Sequence, residues 1–246
     1  MPMLKRVLSI TALLALLSFC CAGCTVLDYF LLPEPELSAE EYFEYGNDAM
    51  AEKDYATSIR YFTKLKEMYP FSPYVTEAEL SLGDAYFLDE DWLMAVEAYK
   101  EFEQMHPRHQ AIPYVLYQIG ISNLRTYTSI DRPPTLVNEA MSYFVRLRDS
   151  FPGDEYAEKA DAEIQTCRRF LAEYEVYLGD FYFRIEKYRS AWMRYQNVLR
   201  DYPDITDLHE YAGVQSQAAY ALQVESEAEE NRKEREGGWH EWFNWL

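Results

Sequence analysis

Gly46, Gly83 and Gly120 stand 37 residues apart, and Pro70 and Pro107 keep the same interval. Gly179 and Pro203 close a fourth copy. A ladder of this period constrains the chain to a helical repeat array, because one such unit cannot bury its apolar face alone and must stack on a neighbour. Arrays of this kind work through the extended surface that stacking creates, so function is sought there rather than in an enclosed pocket.

The second copy reads Leu82-Gly83-x-x-Tyr86, then Ala95, Tyr99, Phe102 and Pro107, and the fourth repeats every spacing with Leu178-Gly179-x-x-Tyr182, Ala191, Tyr195, Val198 and Pro203. The first gives Tyr45-Gly46, Ser58, Phe62, Leu65 and Pro70. This resembles the tetratricopeptide pattern, a helix-turn-helix unit with an L-G-x-x-Y core, a small residue, an aromatic and a closing Pro. The expectation is an all-α superhelical solenoid of about five tetratricopeptide-like helix-turn-helix repeats over residues 39–227. A Gly inside a helix costs about 1 kcal/mol relative to Ala, so four at one phase need a packing purpose. The purpose expected is close approach of helix A to helix B at the methyl of Ala95 or Ala191. Phe62, Tyr99, Phe144 and Tyr195 lie four residues beyond the small position and share its face. Each Pro ends helix B, since it lacks an N–H and its ring clashes with the preceding turn.

The third copy, with Ile119-Gly120, Ala140, Phe144, Leu147 and Pro152, is eight residues longer from Gly to Pro, and the surplus lies in the loop-like stretch Thr126 to Pro134. Between Pro152 and Gly179 there are fourteen more residues than between Pro70 and Gly83, with no Gly or Pro after Gly153. One long helix is expected from an N-cap at Asp154 to about Arg184. A last helix from Thr206 to about Glu227 would close the array.

The ends read differently. Lys5 and Arg6 precede an apolar run from Val7 to Phe19, shorter than the roughly 20 helical residues that span a bilayer. This is a targeting segment, 1–23, rather than part of the fold. Cys21-Ala-Gly-Cys24 resembles a bacterial lipobox, with Cys21 where Leu is usual. Cys24 would then carry diacylglycerol and an N-acyl chain; the other reading is an ordinary secretory signal cut near Cys24. No other cofactor is implied. In the likeness to lipoproteins, Thr25 after the Cys points to the outer membrane. Residues 24–38 form a tether whose Pro33 and Pro35 favour an extended spacer. Residues 228–246 form a charged linker and a Trp-rich tail, which either folds back on the last repeats or serves as a partner-docking or membrane-interface peptide.

The formal charge is −19, and removing residues 1–23 takes away two cations and no anion, giving −21. Such acidity argues against nucleic acid and against direct electrostatic binding to anionic lipid. With Cys24 lipidated, Cys167 has no partner for a disulfide and reads as a buried small apolar residue. There is no Gly-rich phosphate loop, G-x-S-x-G or H-E-x-x-H, so no enzyme is expected. His106 and His109 flank Pro107 without a nearby Cys, and no metal site is expected there.

In tetratricopeptide proteins helix A lines the concave groove. That phase carries over to Phe43, Asn47 and Met50 in the first copy, Leu80, Asp84 and Phe87 in the second, and Tyr117, Ile121 and Leu124 in the third. The leading positions Phe43, Leu80 and Tyr117 lack the Lys and Asn of the carboxylate-gripping subfamily. An apolar, aromatic groove suits an extended apolar peptide; the same side chains could instead be core between repeats.

Several local signatures point further. They are Tyr69-Pro-Phe-Ser-Pro-Tyr74, His106-Pro-Arg-His-Gln-Ala-Ile-Pro-Tyr-Val-Leu-Tyr117, Ile130-Asp-Arg132, Phe170-Leu-Ala-Glu-Tyr-Glu175 and Leu199-Arg-Asp-Tyr-Pro-Asp204. With the inserted loop and the lengthened helix, the repeat region resembles the outer-membrane-assembly lipoproteins of the BamD, or ComL-like, family; the acidic, Trp-rich tail departs from it. The resemblance implies a lipid-anchored periplasmic scaffold on the outer membrane of a Gram-negative bacterium. Its implied partners are the β-barrel insertase, other lipoproteins of the assembly machinery and unfolded outer-membrane proteins, with the insertase at the C-terminal repeats. Arg194 matches a family position implicated in contacting the insertase; otherwise it reads as a solvated surface Arg. The runner-up is another repeat lipoprotein acting as an envelope adaptor for peptidoglycan or cell division.

Overall fold

The computed structural model describes residues 37–243, with side chains through Arg235. The targeting segment, Cys24 and most of the tether lie outside the described residues. Within them the chain is all-α, nine helices in succession with no strand. Four antiparallel pairs follow one another: α1 Ala39–Ala51 with α2 Tyr55–Met68, α3 Val75–Leu88 with α4 Trp92–Met105, α5 Ile112–Thr126 with α6 Thr135–Ser150, and α7 Glu155–Arg184 with α8 Tyr188–Asp201. A single helix, α9 Thr206–Phe243, closes the array. Each helix packs chiefly on its neighbours in sequence, as a solenoid requires.

The ladder glycines do make close approaches, and the nearest atoms belong to an aromatic ring rather than to an alanine methyl. A Cβ on Gly46 would stand 2.4 Å from the Phe62 ring, on Gly83 2.6 Å from Tyr99, on Gly120 2.4 Å from Phe144 and on Gly179 2.5 Å from Tyr195. The expectation of a meeting at Ala95 or Ala191 is thus corrected. The glycine seats the aromatic ring four residues beyond the small position, and that ring fills the space between the two helices. All four rings are at most 1% exposed, and full burial of such a side chain contributes about 1.5–3 kcal/mol.

The turns repeat as faithfully as the helices. Lys53, Glu90 and Glu186 each follow their glycine by seven residues and adopt left-handed backbone with φ of 64°, 61° and 61°. The N–H groups of Lys53 and Asp54 return to the carbonyls of Met50 and Ala49, and the same two bonds recur at Glu90/Asp91 and Glu186/Lys187. These are Schellman ends, made here without the glycine that usually takes that conformation. Asp54 and Asp91 then serve as N-caps of the next helix, accepting from the N–H of Thr57 and Met94. Lys187 holds the equivalent backbone and provides no side-chain cap. Helix B ends each time on an aromatic ring before Pro, at Tyr69, His106, Phe151 and Tyr202, with φ between −127° and −131°. That departure from helical backbone is what a following Pro imposes.

The irregular parts also match the sequence. The inserted loop separates α5 from α6, and it replaces the left-handed turn in the third copy. Asp154 caps α7 by accepting from the Tyr156 N–H at 2.8 Å. The first half of α7 packs on α6 and closes the largest core cluster with Ala160, Ile164, Cys167 and Leu171. Its second half begins a separate cluster with α8 and α9, centred on Tyr195. Cys167 is fully buried, and burial pushes its thiol up to about 12, so it is unreactive near neutrality.

One boundary differs. The last helix continues past Glu227 and through Gly237-Gly238 to Phe243. Residues 225–236 are dominated by Glu, Lys, Arg and Ala, strong helix formers with no Pro, and each Gly lowers helicity by only about 1 kcal/mol. The linker expected from 228 is therefore helical backbone. The side chains of Trp239, Trp242 and Trp245 lie outside the described residues.

Candidate interaction surface

The positions carried over for the groove lie where one repeat meets the next. Phe43 stacks on Tyr74, at the entry to α3, with centroids 5.4 Å apart and planes at 23°. Tyr117 stands between Phe144 and Tyr156 at 5.8 and 5.6 Å. Phe87 meets Trp92 edge-on at 5.0 Å. Phe43 and Met50 pack on the first core cluster, and Leu80, Phe87, Tyr117, Ile121 and Leu124 on the largest. These apolar members are all partly buried, whereas Asn47 is exposed. The helix-A side is thus an aromatic seam, with its rings already engaged with one another.

Asp84 is engaged too. Its Oδ1 accepts from the hydroxyls of Tyr99 and Tyr114, each at 2.6 Å, and the Gln118 amide donates to both hydroxyls at 3.4 and 3.1 Å. Tyr99 belongs to helix B of the same repeat and Tyr114 to helix A of the next, so one carboxylate ties two repeats. Burial raises the Asp84 pKa, and the two tyrosine hydrogen bonds oppose it. Burial, then the Asp84 charge, pushes both tyrosines far above the ordinary phenol value. Asp180 repeats the arrangement in the fourth copy, accepting from Tyr195 at 2.7 Å and Tyr211 at 2.9 Å. The signal was in the sequence: Gly-Asp recurs in copies two and four, each followed by Tyr fifteen residues after the Asp.

The helix-B side is polar. A depression of about 470 Å³ lies between α2 and α4, lined by Lys66, Tyr86, Met94, Glu97 and Glu101 among others. Ion pairs step along it, Lys66 to Glu101, Lys100 to Glu139 and Arg146 to Glu103, each joining successive B helices. They are partly exposed, and pairs of that kind contribute about 0–1 kcal/mol each. Apolar side chains also reach solvent, most of all Phe71, 99% exposed in the turn after the first repeat.

Arg194 is not a solvated surface cation. It lies half-buried on α8 and donates to both oxygens of Glu175 on α7 at 3.1 and 3.3 Å, while Asn197 donates to Glu175 at 2.9 Å. Its acidic partner is thus within the chain. His106 pairs with Glu79 at 2.7 Å, and the His109 ring meets Phe102 edge-on. Among the described residues no cluster of three or more His, Cys, Asp or Glu could hold a metal, and no helix is long and apolar enough to cross a membrane.

The model of the family described as YfiO, outer membrane lipoprotein, matches residues 35–234, which spans every repeat and most of the closing helix. The chain belongs to that family. Among curated relatives it is 26% identical over 198 residues to the outer membrane protein assembly factor BamD of Vibrio cholerae, covering 76% of this chain and 82% of that one. It is 25% identical over 209 residues to BamD of Neisseria meningitidis serogroup A, covering 81% and 78%. Among solved structures, the TPR2AB-domain:pHSP90 complex of yeast Sti1 aligns over 76% of this chain and 71% of that one, with TM-score 0.46 and 12% identity. The MamA protein aligns over 80% and 94%, with TM-score 0.37 and 16% identity.

Proposed function

We propose that this protein is a lipid-anchored periplasmic scaffold of the machinery that assembles β-barrel proteins in the outer membrane. In this reading it binds the insertase and unfolded barrel substrates and is held to the membrane through Cys24. The observation that carries it is the family match over residues 35–234, which includes the loop between α5 and α6 and the whole of α7. The relatives named as assembly factors align over 76% and 81% of this chain. The array's physics supports the reading: stacked helices offer a long extended surface, which suits a scaffold.

Within this reading Arg194 is the insertase contact. Because Glu175 already holds its guanidinium, docking would exchange that pair for an acidic group on the partner. A pull-down from detergent-solubilised envelopes tests the whole assignment: the insertase should co-purify, and recovery of peptidoglycan in its place would replace the reading with the adaptor one. Arg194→Glu should cut insertase recovery at least fivefold with the helical signal intact. Undiminished recovery would remove Arg194 from the interface while leaving the scaffold reading standing.

A further inference from the structure

The second repeat departs from the other three at one position. Fifteen residues past the ladder glycine, not counting the inserted loop in the third copy, stand Tyr61, Ala98, Tyr143 and Arg194. Three copies place a long side chain there, and the second places a methyl. In the first and fourth copies that side chain reaches the helix-A residue four before the glycine. Tyr61 meets Tyr42 at 6.2 Å, and Arg194 donates to Glu175 at 3.1 Å. In the second repeat the residue at that helix-A position is Glu79, the register equivalent of Glu175.

The structure keeps this space open. Ala98 lines the depression of about 470 Å³ between α2 and α4, and it also borders a small adjoining cavity that reaches Glu79. The larger volume falls within the range of ligand sites. Leu82 and Tyr86 of α3, with Ala98 of α4, give it an apolar side. Glu67, Glu97 and Glu101 stand around it with Lys66 and Lys100. Carboxylates therefore outnumber ammonium groups, and both lysines are already paired. Lys66 holds Glu101, and Lys100 holds Glu139, which lies outside the lining, at 2.7 Å.

We propose that this depression is a socket for an arginine side chain supplied by a protein partner. The chain displays the fit itself, since Arg194 takes the same register position in the fourth repeat and grips the equivalent glutamate. An arginine entering from outside would lay its methylene stem on Leu82 and Ala98. Its guanidinium would face the Tyr86 ring and take up the carboxylates of Glu97 and Glu101. The Lys66–Glu101 pair is partly exposed, and pairs of that kind contribute about 0–1 kcal/mol, so it yields readily to a guanidinium that can bond a carboxylate twice. A tyrosine, as in the first and third copies, would fill the volume and leave the excess negative charge unanswered. The socket lies on the first two repeats, away from Arg194, and does not depend on the insertase assignment.

Titration of the full mature chain in detergent with N-acetylarginine methylamide tests this, with the carbon-13-labelled methyl of Met94 as reporter, because Met94 lines the depression and is 44% exposed. The uncharged isostere N-acetylcitrulline methylamide and N-acetyltyrosine methylamide are titrated beside it. A single side chain binds in the millimolar range, so the series runs to about 50 mM. The Met94 signal should shift saturably, with arginine at least about fivefold tighter than citrulline or tyrosine. Ala98→Arg, which supplies the side chain from within, should abolish the shift. No saturable shift in the parent, citrulline or tyrosine binding as tightly as arginine, or a shift that survives Ala98→Arg would overturn the proposal. If Ala98→Arg loses its helical signal, Ala98→Tyr, which installs the residue of the first and third copies, replaces it with the same expected loss.

Discussion

Two glycine-to-alanine substitutions in this chain should have opposite signs. A Cβ at Gly120 would lie 2.4, 2.5 and 3.0 Å from three atoms of the Phe144 ring, about 1 Å inside ordinary carbon–carbon contact. The ring cannot retreat. It is fully buried within the largest core cluster, which surrounds it with Val137, Ala140 and Leu147 among others. Overpacking of a rigid core costs about 1–3 kcal/mol, and this site belongs at the upper end. Alanine returns about 1 kcal/mol of helix propensity, leaving a net loss of about 2 kcal/mol. At Gly213, inside α9 past its first turn, the nearest atom would be Leu199 Cδ2 at 3.9 Å, an ordinary contact. There the propensity stands alone, and Gly213→Ala should stabilise by about 1 kcal/mol. For a domain of this size the melting temperature should fall by about 4–8 °C in the first case and rise by about 2–4 °C in the second. Thermal and urea denaturation of both variants measure this. A double variant, Gly120→Ala with Phe144→Leu, should be more stable than the sum of its parts by at least about 1 kcal/mol, since the smaller side chain relieves the clash. If Gly120→Ala matches or exceeds the parent, the glycine is not seating the ring and the account of the ladder fails.

The remaining predictions follow the same logic. Lys187→Asp installs the cap present at Asp54 and Asp91 on equivalent backbone, and chemical denaturation should show a gain of about 0.5–1 kcal/mol. Glu90→Gly should be neutral or stabilising despite the flexibility added, because φ of 61° suits glycine; a loss above about 1 kcal/mol would argue against the left-handed turn. Tyr99 has a folded-state pKa far above its unfolded value, so the stability it contributes is fully present below about pH 10 and is lost as pH rises beyond it. The unfolded chain then releases a proton that the folded chain keeps, and stability should fall by about 1.4 kcal/mol per pH unit from this group alone. Tyr99→Phe should flatten that alkaline slope in denaturation series between pH 9 and 11, and an unchanged slope would show that the hydroxyl titrates freely. Burial, followed by its hydrogen bond to Asp180, raises Tyr211 to about 12, so its smaller share also appears above pH 10.

Particular residues show how far the sequence could be read. Gly, small residue, aromatic and Pro recur at fixed distances because each solves a backbone or steric problem that every repeat shares, and such constraints are written locally. The cap at Asp154, the loop before Thr135 and the length of α7 were legible for the same reason. The partner of each glycine was not, because the alanine and the aromatic share one helix face and spacing does not say which of them reaches across. The helix past Glu227 was not legible because a dense run of charges reads as a linker, although its residues are strong helix formers.

The candidate surface was legible only in part. The tetratricopeptide resemblance gives the phase of Phe43, Leu80 and Tyr117, but the packing that half-buries Phe43 and Tyr117 depends on Tyr74 and Tyr156, which lie at or beyond the next repeat. Asp84 was read as a groove residue, whereas Tyr99 and Tyr114, fifteen and thirty residues away, make it a tie between repeats. Nothing in the sequence tells whether Arg194 is solvated, and Glu175, which holds it, comes from another helix. The sequence by itself determined the all-α repeat array, its register and its two irregularities, since those follow from short-range backbone chemistry. Only the tertiary structure decided which polar groups are already paired and which aromatic rings are engaged with one another, because pairing and burial are properties of helices brought together from distant parts of the chain.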